Sequence, residues 1–175
     1  MMTKTSALIA PIVLLVAQAA ASETYQEPAD FIGEVFRNTT PETGAVWITQ
    51  ELSGPLEDIL GHPIAFRRIR FWEQGGRTAW ILEEIGKEKP ITTGIVIDDG
   101  RIEQVKVLVF RESRGWEVRH DFFTNQFEQV SLKKDLGLDR HIDGISGATL
   151  SVRALKKQAR VALFLSQQVA VDASP

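Results

Sequence analysis

The run Asp143-Gly144-Ile145-Ser146-Gly147-Ala148-Thr149 holds the residues of this sequence best suited to chemistry. A helix is predicted to follow it, from about Leu150 to Gln168, with a core stripe that includes Ala154, Val161, Ala162 and Leu165. A Ser-Gly-Ala-Thr turn feeding a long helix leaves backbone N–H groups unpaired at the positive end of the helix dipole, and its glycines let a ligand come close to the backbone. Such a turn suits a phosphate group. It contains neither G-x-G-x-x-G nor G-K-[ST], so neither a dinucleotide nor a triphosphate is indicated. Thr149, at the helix entrance, has two candidate tasks: to cap the helix, or to be esterified to a phosphate held there.

Other constellations are weaker. Gly144-Ile145-Ser146-Gly147-Ala148 narrowly misses the serine-hydrolase elbow G-x-S-x-G, but a polar run rather than a strand precedes it. His62, His120 and His141 all lie before Ser146, whereas that fold supplies its histidine afterwards. Asp139, His141 and Asp143 alternate in a polar loop, which fits a solvated turn better than a metal site. Arg153, Lys156, Lys157 and Arg160 recur at helical spacing and make a basic stripe, read either as a solvated face or as a surface for a partner or membrane. Trp47, Trp72, Trp80 and Trp116 each have a packing role as the ordinary expectation, with stacking on a flat cofactor as the alternative.

Ile64 to Glu73, Arg77 to Ile85, Ile91 to Asp98 and Arg101 to Phe110 are rich in β-branched and aromatic residues. Short turn signals separate them: Gln74-Gly75-Gly76, Gly86 to Pro90, and Asp98-Asp99-Gly100. Connections this short join antiparallel neighbours, so a four-strand meander is expected. In its last strand Val105, Val107 and Val109 alternate with Lys106, Leu108 and Phe110, giving one core face. Upstream, Pro28 to Phe36 reads as a short helix and Thr43 to Thr49 as a brief strand. Ser53 to Gly61 reads as one or two helical turns stopped by Gly61 and Pro63. Phe122, Phe123, Phe127 and Val130 suggest a loop with a helical turn, and Val171 to Pro175 a frayed end. The fold class is therefore α+β: an antiparallel β-meander sheet packed with a C-terminal helix and short N-terminal helices.

Composition narrows the function. The chain has 175 residues, no cysteine, 20 Lys+Arg and 23 Asp+Glu, for a formal charge of −3. Without cysteine there is no thiolate-held iron–sulfur cluster, no C-x-x-C-H haem attachment, no thiol nucleophile and no disulfide. Redox chemistry here would need a borrowed cofactor. The acidic balance provides no field for a phosphate polymer, so nucleic acid is not expected as a partner. Residues 1–21 carry Lys4, then an apolar run from Ala7 to Ala21 ending in small-x-small sites, which is the pattern of a secretory signal peptide. The run is about 15 residues long and contains Pro11, short of the roughly 20 apolar residues that span a bilayer. The expectation is thus a cleaved leader, 1–21, and one exported, periplasmic or extracytoplasmic domain, 22–175. A membrane-anchored form is the alternative.

Asp143-x-x-Ser146-Gly147-Ala148-Thr149 resembles the flavinylation motif of the FMN-binding domain family, whose members include the C subunit of the sodium-pumping NADH:quinone reductase and the G subunit of the Rnf complex. The resemblance covers roughly Ile91 to Leu165. It takes in Gly94-Ile95-Val96-Ile97-Asp98-Asp99-Gly100-Arg101-Ile102, Glu112-Ser113-Arg114-Gly115 and Phe122 to Phe127. It implies covalent FMN joined through its phosphate to Thr149 by a flavin transferase, with Ser146, Gly147 and Ala148 forming the phosphate turn. Ser151 is the fallback acceptor, and Asp143 belongs to the transferase recognition pattern. Glu112, Arg114 and Gly115 fall where relatives place a loop near the flavin. The function so implied is electron relay between a membrane-bound redox partner and an acceptor, by a carrier or reductase component rather than a stand-alone enzyme. A non-covalent flavin-binding, sensing or scaffold module is the alternative. The two members named carry an N-terminal membrane anchor, a departure from the leader read here.

Overall fold

The computed structural model describes residues 22–37 and 39–172, so the expected leader, 1–21, lies outside the described residues. The elements run β1 (Glu23–Thr24), α1 (Pro28–Val35), β2 (Glu42–Trp47), α2 (Gln50–Leu60), β3 (Arg68–Gln74), β4 (Arg77–Ile85), β5 (Pro90–Asp98) and β6 (Arg101–Phe110). After them come a 3-10 turn (Trp116–Arg119), α3 (Asp121–Thr124), a second 3-10 turn (Asn125–Phe127) and α4 (Thr149–Asp172). The expected meander is present as β3 to β6. Two further strands extend it into a six-stranded antiparallel sheet ordered β1-β6-β5-β4-β3-β2.

The sheet separates two apolar layers. On one face Trp80, Ile95, Ile97, Ile102, Val105, Val107 and Phe110 pack with Leu155, Ala159, Ala162 and Leu163 of α4 and with Leu56, Ile59 and Leu60 of α2. On the other face Phe31, Ile32, Val35 and Phe36 cover Ala79, Val96, Leu108 and Val109. The alanines of α4 let this helix, about 36 Å long, lie close against the strands. Gln158, almost wholly buried, fixes its rotation: its Nε2 donates to the Ile91 carbonyl at 2.7 Å, and its Oε1 accepts from the Thr93 hydroxyl. Buried amide groups require such partners.

Four expectations need correction. Val105, Val107 and Val109 do not share a face. The pairing of β5 with β6 shifts register between Thr92 and Thr93, where Thr92 faces Val109 but Thr93 faces Val107, so Leu108 is an extra residue. One inserted residue reverses the in–out alternation, and Val109 joins the α1 layer. A second shift, between Val96 and Ile97, similarly brings Ile102 into the α4 layer with Val105. The second correction concerns α2, which starts at Gln50 and passes through Pro55 instead of starting near it. Ser53 N–H bonds the Thr49 carbonyl, and left-handed Gly61 closes the far end. Third, the strand predicted from Ile64 begins at Arg68. Residues 64–67 only approach it, with Ile48 N–H on the Arg67 carbonyl at 2.9 Å. Last, α4 extends past the expected end at Gln168 to Asp172, and residues 173–175 lie outside the described set.

Candidate functional site

Thr149 is the first residue of α4, and its side chain is exposed. Ala148 precedes it as the capping position, since the Ala148 carbonyl accepts the Val152 N–H at 2.9 Å. The Thr149 hydroxyl makes no hydrogen bond among the described residues, so it does not cap the helix. Nor do the backbone N–H groups of Thr149, Leu150 and Ser151 find an acceptor among the described residues. These are the orphan donors of a helix start, placed at its positive end.

The turn before the helix presents them. Ala148 N–H bonds the Ile145 carbonyl at 3.0 Å, and Gly147 holds φ +84, as the third residue of a type II turn requires. A side chain at Gly147 would meet no neighbour within 4 Å, so glycine is needed there for its backbone angle rather than for space. Ser146 and Gly147 are exposed, and Ala148 is buried beneath them.

The second wall comes from the opposite end of the sequence pattern. Since β5 and β6 pair antiparallel with Ile91 opposite Phe110, the turn entering β5 lies beside the segment leaving β6. Glu112 bolts the two together. Its Oε1 accepts the backbone N–H groups of Lys87, of Glu88 at 2.7 Å and of Lys89 at 2.9 Å. Partial burial opposes ionisation of this carboxyl, but the three N–H groups outweigh it and hold Glu112 below the usual carboxylate range. Gly115 follows at φ +87. A Cβ there would lie 2.5 Å from Ser151 Oγ and 3.4 Å from the Ala148 Cβ, so the loop rests directly on the start of α4.

Together these parts enclose an open cleft of about 550 Å³ lined by Glu112, Ser113, Arg114, Gly147, Ala148, Thr149, Ser151, Lys87 and Leu150. The volume is that of a small-molecule site. The structure thus brings Glu112, Arg114, Gly147, Ala148, Thr149 and Ser151 to one place, with Gly115 packed behind them. Ser146 is one step outside on the turn. Asp143 stands further off, exposed, with its N–H on Gln126 Oε1 at 2.7 Å and its carboxylate 3.5 Å from His141 Nε2. Ser151 is 4 % exposed beneath Gly115. Arg114 is exposed and has no carboxylate within ion-pair distance among the described residues. Sequence reasoning missed Lys87. The signal for it was the hairpin register, which sets the Gly86–Pro90 turn beside Glu112.

Residues 86–163 match the family model described as the FMN-binding domain. The chain carries an FMN-binding domain. Neither a curated protein nor a solved structure matches it. Within the FMN-binding domain the donor set fits a phosphate: three orphan N–H groups, a helix N-terminus, a left-handed glycine and a free hydroxyl converge at Thr149. The tryptophans divide clearly. Trp80 is core, with its Nε1 on Thr78 Oγ1 at 3.0 Å; Trp72 packs beside the α1 layer; and Trp47 lies under Arg68 on the β2 edge. Trp116, 44 % exposed, follows Gly115 in the chain but packs edge-on against His120 and beneath Arg119, outside the lining of the cleft. Asp139 turns to Ser131 and Arg101. Among the described residues no three His, Cys, Asp or Glu are grouped to hold a metal, and no helix is long and apolar enough to cross a membrane.

Proposed function

We propose that this FMN-binding domain carries FMN covalently, as a phosphate ester of Thr149, and relays electrons in an exported compartment. The observation that carries this reading is the exposed Thr149 hydroxyl at the mouth of the cleft, beside N–H groups; neither it nor they find a partner among the described residues. Esterification forms an Oγ–phosphorus bond, and the hydroxyl proton leaves. With free FMN as reference the balance is the loss of one water. The reaction runs from a phosphoanhydride flavin donor whose nucleotide departs, presented by a flavin transferase. Ser151 is the poorer acceptor because its hydroxyl is covered by Gly115.

Bound FMN supplies reversible one- and two-electron chemistry. The protein's part is positional and electrostatic. Gly147 and the first turn of α4 receive the phosphate, while Glu112 holds the Lys87 turn as a wall. Arg114 would set positive charge beside a reduced, negative ring held in the cleft, whereas Lys87 is paired with Glu88 at 3.2 Å. Asp143 serves the transferase rather than the phosphate, since a carboxylate beside a diester is repulsive. A covalent link also suits an exported chain, because reversible binding would lose the cofactor by dilution. The apolar run before Ala21 supports secretion, with retention as an anchor the alternative that would keep the carrier beside a membrane-bound redox partner.

The test is the intact mass of the mature protein after co-expression with a flavin transferase in an export-competent host. Wild type and Ser151→Ala should gain FMN less one water, and Thr149→Ala should not. An unmodified wild type would replace this reading with that of a non-covalent flavin module, and its mass would also show whether the leader was removed.

A further inference from the structure

Thr149 faces two hollows, and the second is a basic groove of about 760 Å³ between α4, the 137–144 loop and Ile59 of α2. Its walls carry Arg140, Arg153, Lys156, Lys157 and Arg160. Between residues 131 and 170 the chain has seven Lys/Arg against three Asp/Glu, although the whole is acidic. Most of these groove cations are held without being neutralised. Lys156 Nζ donates to the Ile142 carbonyl at 3.0 Å, Arg140 Nη1 to the Glu128 carbonyl at 3.2 Å, and Arg160 Nε to the Leu136 carbonyl. Carbonyl oxygens orient a cation and leave its charge in place. Arg153 is exposed and has no partner among the described residues, and only Lys157 of the five meets a carboxylate, Glu84, at 2.9 Å. Of the nearby acids, Asp143 pairs with His141, Asp135 with Lys133 and Asp139 with Arg101, while Asp135 and Asp139 act on Arg160 and Arg140 only from beyond ion-pair distance.

We propose that this groove docks an acidic segment of a partner protein beside Thr149. Four cations without a carboxylate in ion-pair contact, three of them oriented by carbonyl bonds, complement a protruding cluster of Asp and Glu, and a local positive patch on an acidic protein gives orientation as well as attraction. A flat anionic bilayer would reach less of the groove and would be repelled by the rest of the surface. The proposal does not depend on flavin attachment, so its test uses the unmodified mature chain.

The probe is a fluorescein-labelled octaglutamate peptide, followed by anisotropy, with octaglutamine as the neutral control. Octaglutamate should bind and octaglutamine should not. Arg140→Glu/Arg153→Glu should weaken binding about tenfold or more. Arg67→Glu/Arg70→Glu, which makes the same change in net charge at exposed positions around the start of β3, should weaken it less than about threefold. Circular dichroism confirms that both variants fold. Absence of octaglutamate binding, or equal losses in the two variants, would overturn the proposal. So would binding to phosphatidylglycerol vesicles that is stronger than peptide binding and lost in the Arg140/Arg153 variant, which would make the groove a lipid surface.

Discussion

Gly115 and Ser151 meet so closely that a single carbon would not fit between them: a Cβ on Gly115 would stand 2.5 Å from Ser151 Oγ and 3.3 Å from Ser151 Cβ. Through this contact the loop after β6 is seated on the first turn of α4, and the two walls of the Thr149 cleft become one body. Gly115→Ala combines that clash with a φ of +87. The cost should be about 2 kcal/mol, read from urea midpoints. Adding Ser151→Ala removes the nearer atom and should recover part of the loss, whereas Ser151→Ala alone should change little. Full additivity of the two changes would show that the contact does not govern the loop.

Glu112 predicts an acid sensitivity. Its folded carboxyl titrates below its ordinary value, so the stability it contributes is present above the unfolded value, about 4.3, and disappears as pH falls through the lower folded value. Glu112→Gln keeps one acceptor but loses the charge assisting three N–H bonds. It should cost about 1–2 kcal/mol at pH 7, with the gap to wild type closing below pH 4. A gap independent of pH down to pH 3 would mean that the bonds do not depend on ionisation.

Glu84, 6 % exposed, is clamped between Lys157 at 2.9 Å and His62 Nε2 at 3.1 Å. The bond to the Pro63 carbonyl and then the bond to Glu84 raise the affinity of His62 for its proton. A raised His contributes stability that is full below the unfolded value, about 6.5, and is lost as pH rises through the folded value. Lys157→Met therefore leaves Glu84 with a charged partner at pH 5.5 and a neutral one at pH 8.5. The destabilisation should be larger at pH 8.5, about 2–3 kcal/mol. Equal loss at both pH values would exclude His62 as the compensating charge.

Period-two patterning and short turn signals made β4, β5 and β6 legible nearly to the residue, since both features are local. The bulges at Leu108 and Glu103 were not, because an extra residue is defined only by its partner strand. β1 is two residues long and gains meaning only from pairing with Phe110 and Val109. At the site, the turn before Thr149 was readable from glycine and hydroxyl spacing. That Thr149 is free and Ser151 covered was not readable, since Gly115 decides it from 36 positions away in sequence. The basic stripe also read ambiguously. Helical spacing grouped Arg153, Lys156, Lys157 and Arg160, but only the tertiary packing shows that Lys157 is spent on Glu84 while the others keep their charge.

Arg114 gives the prediction that bears most directly on electron transfer. It lines the Thr149 cleft, is exposed, and has no carboxylate within ion-pair distance among the described residues. A cation there favours the more negative, reduced flavin, so Arg114→Gln should lower the midpoint potential of the flavinylated protein. An effect on the order of 1.4 kcal/mol corresponds to roughly 30 mV for two electrons, and higher salt should shrink it because the group is solvated. Arg153→Gln removes the same charge from the neighbouring groove and serves as the control. Potentiometric titration of both variants at low salt decides the matter. A shift confined to Arg114 places the reducible ring in the cleft with Lys87, whereas a shift confined to Arg153 would move the ring into the basic groove and overturn the assignment of the two hollows.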